Sequence, residues 1–112
     1  LVYVDPAERV EAIRRHVEEY RYPFGALRDP QHSLVARTQA RVTPEAAVFA
    51  AEASGPRLVY TGRIDDTYVS FGRKRAAPTT RDLERVLEAL LAGEAVASRT
   101  TPGIGCFIPP LR

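Results

Sequence analysis

Apolar residues along this chain come in short runs separated by proline, glycine and acidic punctuation, and the spacing within each run predicts an element. Leu1-Val2-Tyr3-Val4 is rich in β-branched and aromatic residues and reads as a buried strand that stops at Asp5-Pro6. Asp5 as a helix cap, Pro6 at the first helical position and Glu8 as the return half of a capping box predict a helix starting there. Val10, Ile13, Val17 and Tyr20 then recur at helical spacing, with charged residues on the other faces. Residues 22–27 read as a second, short or edge strand because Pro23 and Gly25 interrupt it. Asp29-Pro30 repeats the cap-and-proline device and opens a brief helix to about Arg37, with Leu34 and Val35 inward.

Farther along, Thr43 must be extended because Pro44 follows it, and Ala46-Ala47-Val48-Phe49-Ala50 forms the next strand. Ser54-Gly55-Pro56 separates that strand from Arg57-Leu58-Val59-Tyr60-Thr61, the arrangement of an antiparallel hairpin ended by Gly62. Residues 63–78 read as a long connection, with Asp65 as a turn residue and Tyr68, Val69 and Phe71 docking it onto the sheet. Thr79 or Thr80 would cap a last helix carrying Leu83, Val86, Leu87, Leu90 and Leu91 on one face, stopped by Gly93. The expected organisation is one domain over residues 1–93 and an irregular tail over 94–112. A right-handed βαβ crossover makes the first two strands parallel, and the hairpin adds antiparallel strands to the same mixed α/β sheet flanked by helices.

Composition sharpens this picture. The 112 residues are 45% hydrophobic and 27% charged, which fits a globular core and excludes disorder as the default. A net charge of +2 argues for no nucleic-acid partner, and the only basic cluster, Arg73-Lys74-Arg75, lacks interleaved aromatics and reads as a solvated loop. No apolar run reaches the ~18 residues of a membrane span. The single cysteine excludes an intrachain disulfide, and Cys106, His16 and His32 do not form a metal-binding pattern, so neither metal nor cofactor is expected. Both histidines read as solvated surface groups, and the Asp65-Asp66 pair supplies too few ligands for calcium. The chain has no methionine and starts at Leu1 within a strand, from which upstream material is expected.

Several stretches together resemble the thioredoxin-like superfamily, in its redoxin branch that includes the alkyl hydroperoxide reductase/thiol-specific antioxidant family. They are Val2-Tyr3-Val4-Asp5, the Asp29 segment, Val42-Thr43-Pro44-Glu45 before an apolar strand, and Leu58-Val59-Tyr60-Thr61-Gly62-Arg63-Ile64-Asp65-Asp66. The ending Gly103-Ile104-Gly105-Cys106-Phe107-Ile108-Pro109 is similar to a Gly-Cys-x-Ile terminus of some bacterial redoxin-like proteins. The resemblance implies a thioredoxin-like mixed sheet lacking its first strand and active-site helix, since the family's reactive cysteine would lie upstream of Leu1. It implies thiol–disulfide exchange or peroxide reduction, a thiol/disulfide protein or peroxide as partner, and a bacterial, often exported, setting. The alternative reading is a non-catalytic thioredoxin-like binding or electron-transfer module. A truncated sheet with an uncovered edge would favour a homodimer.

For Thr43-Pro44 the resemblance implies a cis peptide bond lining a substrate groove, whereas proline statistics alone, with ~5% of X–Pro bonds cis, favour a trans proline at an edge strand. Cys106 stands between two readings, a structural side chain buried between Ile104 and Ile108, or an accessible auxiliary or resolving thiol.

Overall fold

The computed structural model describes all residues, Leu1–Arg112. It is an α/β chain of three helices and nine short strands arranged in small sheets. The chain divides into two units, Leu1–Arg37 with Ile108–Arg112, and Thr38–Phe107.

In the first unit, β1 (Val2–Tyr3), α1 (Val10–Glu19) and β2 (Leu27–Arg28) form the expected βα crossover, with β1 and β2 parallel. This ladder is a sheet of its own, so the expected single sheet shared with the hairpin is not formed. Helix α1 begins later than its sequence signals predict. Asp5 Oδ1 accepts from Ala7 N at 2.8 Å and closes a local turn, and the residue preceding the helix, Arg9, caps it with no side chain. A short acidic side chain that can satisfy its own neighbouring backbone competes with helix initiation in this way. Ile13 is buried on the inward stripe while Tyr20 is exposed. Tyr20 instead joins a stack with Tyr22 and Phe24, which draws residues 22–24 out of the expected second strand and leaves only Leu27–Arg28 paired.

The second cap is the one the sequence specifies. Asp29 is buried, and its Oδ2 accepts from Leu34 N at 2.8 Å and Val35 N at 2.9 Å at the start of α2 (Ser33–Thr38). Burial pushes the Asp29 carboxyl upward, but the hydrogen bonds from Val35, Ser33 and Leu34 prevail and its pKa is lowered. Both histidines, expected as solvated surface groups, are half-buried and bonded. His16 Nδ1 lies 2.6 Å from the Tyr3 hydroxyl, and His32 Nε2 lies 2.8 Å from the Val4 carbonyl oxygen.

In the second unit, β4 (Ala46–Ala50) and β5 (Arg57–Gly62) form the predicted antiparallel hairpin, with a register shift between Val48 and Phe49. The core is centred on Val59, Tyr60 and Val86, with Leu83 and Leu90 of α3 (Asp82–Leu91) packed against it. The helix stripe is narrower than its five predicted apolar positions, because Leu87 and Leu91 face outward at 41% and 89% exposure. The connection 63–78 contains a small hairpin, β6 (Tyr68–Ser70) with β7 (Arg73–Lys74), whose Tyr68, Val69 and Phe71 are exposed rather than docked. Arg73 and Lys74 are exposed, on a strand instead of a loop, and Arg75 is held in an ion pair with Asp66.

The tail is the larger departure. Residues 94–112 carry β8 (Arg99–Thr101), parallel to β5, and β9 (Cys106–Phe107), antiparallel to β3 (Val42–Thr43). Strands of two and three residues have too few positions for alternation to show in the sequence.

Asp66, not Asp65, organises the entry to α3. Asp65 Oδ1 accepts from Thr67 N at 2.8 Å as a turn residue should. Asp66 is buried and accepts from Thr79 N at 2.7 Å, Thr80 N at 2.8 Å and the Thr79 hydroxyl. Neither threonine caps the helix: the Thr79 hydroxyl is taken by this carboxylate, Thr80 reaches it through its backbone N–H, and Arg81 precedes α3 without a side-chain cap. The Thr79 hydroxyl and Thr80 N–H, with Thr79 N–H and Arg75, outweigh burial and hold the Asp66 pKa at about 2. The unfolded value is ~3.9, so this contribution to stability is complete above about pH 4 and is lost as pH falls toward 2. Urea midpoints measured from pH 5 to pH 2 should fall steeply across that window for the native chain. Asp66→Asn should start lower at neutral pH and show a flatter acid limb, and an unchanged limb would remove Asp66 from this role.

Candidate functional site

The Thr43–Pro44 peptide bond is cis, the isomer that the redoxin resemblance implied. Glu45 braces this turn from the far side of the proline. Its Oε2 accepts from Arg41 N at 2.8 Å and Val42 N at 3.3 Å, so the carboxylate satisfies backbone donors that the reversing chain leaves unpaired.

The segment 103–106 lies directly on that turn. The antiparallel ladder places Thr43 opposite Cys106 and Val42 opposite Phe107. A methyl group on Gly105 would sit 2.0 Å from the Thr43 carbonyl oxygen and 3.2 Å from Pro44 N. One on Gly103 would sit 2.8 Å from Glu45 Cγ and 2.9 Å from Val42 Cγ2. Both glycines are therefore required by the close approach of the two segments, which is the physical meaning of the Gly-x-Gly-Cys spacing. Sequence inspection isolates Cys106 and Thr43-Pro44 separately. What it misses is their pairing, and two glycines at alternate positions before the cysteine were the available signal.

Cys106 is exposed, which sets aside the reading of it as a side chain buried between Ile104 and Ile108. An accessible thiol paired with a cis-proline turn has the steric freedom to attack an incoming sulfur or oxygen.

A cleft of about 210 Å³ adjoins the turn, with Pro44 and Ile104 on one side and Arg63, Asp65 and Tyr68 among its other walls. Arg63 enters it from the end of the β5 strand. Arg63 Nε donates to Asp82 Oδ2 at 2.7 Å, and the Arg63 carbonyl accepts the Tyr60 hydroxyl at 2.6 Å. The hydrogen bond it donates to Asp82 raises the Arg63 pKa further, so the guanidinium is permanently charged and fixed in place. Burial pushes the Tyr60 phenol upward, which keeps it a neutral donor to that carbonyl.

No group of three or more histidine, cysteine or acidic side chains is placed to hold a metal ion, and no helix is long and apolar enough to cross a membrane.

Two solved structures are similar to this chain. It superimposes on an uncharacterised conserved protein from Geobacillus kaustophilus with a TM-score of 0.75 and 28% identity over 98% of this chain. A hypothetical protein from Sinorhizobium meliloti matches with a TM-score of 0.69 and 29% identity over 96% of this chain. The chain spans 58% of the length of each. No family model and no curated protein matches it.

Proposed function

We propose that this chain works in thiol chemistry, as part of a thiol–disulfide oxidoreductase or thiol-dependent peroxidase of the redoxin type, to which it contributes Cys106 as an auxiliary or resolving thiol rather than the main catalytic cysteine. One observation carries the reading: the exposed Cys106 is paired in register with Thr43, beside the cis Pro44 turn. Nothing about a merely structural tail requires its only thiol to lie at the surface beside that turn.

The chemistry follows from a single thiol. Cys106 loses its proton to solvent, and the thiolate attacks one sulfur of a disulfide. A new S–S bond forms, the old one breaks, and the departing half leaves as a thiolate that is then protonated. A second thiol attacks the mixed disulfide and returns Cys106 to its reduced form. With a hydroperoxide the same thiolate attacks the O–O bond, giving a sulfenic acid and an alcohol or water, and two further thiols regenerate Cys106. The chain holds one cysteine, so the second thiol comes from the substrate or from another polypeptide segment.

The test is turnover. The chain should accelerate reduction of hydroxyethyl disulfide by a second thiol about tenfold or more over an equal concentration of free cysteine, since proximity and orientation are the gains that a folded site adds. Cys106→Ser should return the rate to background. A native rate equal to that of free cysteine would overturn the proposal.

A further inference from the structure

The cleft beside Pro44 has two charged side chains with unused capacity. Arg63 has a side chain only 31% exposed, yet of its five guanidinium N–H donors only the Nε–H is bonded, to Asp82. The remaining Nη donors have no protein acceptor and are open to solvent, since no buried side-chain nitrogen lacks a partner, and the residue that carries them borders an open cleft. Two residues on, Asp65 lines the same cleft, with Oδ1 taken by Thr67 N and no protein donor on Oδ2. Between them, Pro44, Ile104 and Tyr68 provide apolar wall. Ile104 precedes Cys106 by two residues, a separation of at most about 7 Å along the backbone, and Pro44 follows Thr43, the register partner of Cys106.

From this arrangement we infer that the cleft is the head-group site for an amino-acid thiol or its disulfide, with Arg63 Nη donors taking the α-carboxylate and Asp65 the α-ammonium. The apolar walls suit the single methylene that joins such a head group to sulfur, and the short span from Ile104 to Cys106 brings that sulfur toward the thiol. The inference rests on the thiol reading of Cys106 and narrows its substrate class to small zwitterionic thiols. Arg63 and Asp65 are then specificity-determining residues that touch the substrate head group. The exchange step is the one already described, with cystine as the oxidant: Cys106 gains one cysteinyl half, and the other leaves as cysteine.

The experiment compares adduct formation at Cys106 by cystine, cystine dimethyl ester and hydroxyethyl disulfide, each normalised to the rate of a heptapeptide spanning residues 103–109. The expected result is a normalised preference for cystine of about tenfold over the other two. Asp65→Asn, which keeps an acceptor for Thr67 N, should abolish that preference. Equal normalised rates for all three disulfides would overturn the inference and leave the thiol reading standing. If none reacts faster than with the peptide, the thiol reading itself falls. The cleft is then judged alone by titrating the Cys106→Ser chain with S-methylcysteine: amide shifts confined to Arg63, Asp65 and Tyr68 support the head-group site, and their absence overturns it.

Discussion

Replacing Gly62 by alanine is expected to destabilise the chain by about 3 kcal/mol, the combined scale of a strained backbone and of an overpacked contact. Gly62 has φ +153°, a conformation that side-chain-bearing residues rarely adopt. Its added methyl would stand 2.0 Å from the Thr101 carbonyl oxygen and 2.8 Å from Thr101 N. Those atoms are backbone, so no rotamer change relieves the contact. β8 would have to leave β5, and the pairing of Gly62 with Thr101 would be lost. Urea unfolding at neutral pH measures the cost. A loss below about 1 kcal/mol, within the spread of ordinary surface substitutions, would show that β8 does not run against Gly62 as described.

Gly105→Ala strikes the candidate site itself. The methyl would meet the Thr43 carbonyl at 2.0 Å, again backbone against backbone. The relief available is displacement of β9, which carries Cys106 away from the cis Pro44 turn. The expected penalty is about 1–3 kcal/mol, with the damage confined to the β3–β9 ladder. Hydrogen exchange should show Thr43 and Cys106 amides losing protection while Val59 and Tyr60 in the core keep theirs. Disulfide exchange at Cys106 should fall to the rate of an unstructured thiol. Retained activity would separate the chemistry from the Cys106–Thr43 register.

Local signals and distant pairings differ in how well the sequence reports them. The antiparallel hairpin of β4 and β5 was legible because Ser54-Gly55-Pro56 breaks two apolar runs, and the Asp29 cap was legible because its partners lie five and six residues away. The Asp5 signal looked the same and did not start a helix, since its carboxylate is satisfied by Ala7 two residues on. Asp65 and Asp66 are adjacent and chemically identical. Only the return of Thr79 and Thr80, thirteen and fourteen residues later, makes Asp66 the buried one. At the site, Thr43 and Pro44 were identified through the redoxin resemblance and Cys106 through its chemistry, but the ladder joining them forms between segments far apart in the chain. The Arg63–Asp65 cleft left no sequence signal, because it depends on Asp82 fixing one guanidinium nitrogen and leaving the others unbonded.

For this function to hold, the fold must make Cys106 a working thiol. The most direct measurement is the second-order rate of mixed-disulfide formation at Cys106 in the folded chain, set beside that of the free 103–109 peptide at the same pH. A working thiol role for Cys106 requires the folded chain to react about tenfold faster or more with cystine, the scale expected when a site positions the attacking and leaving sulfurs. A folded chain that reacts no faster than the peptide, or more slowly, would contradict it.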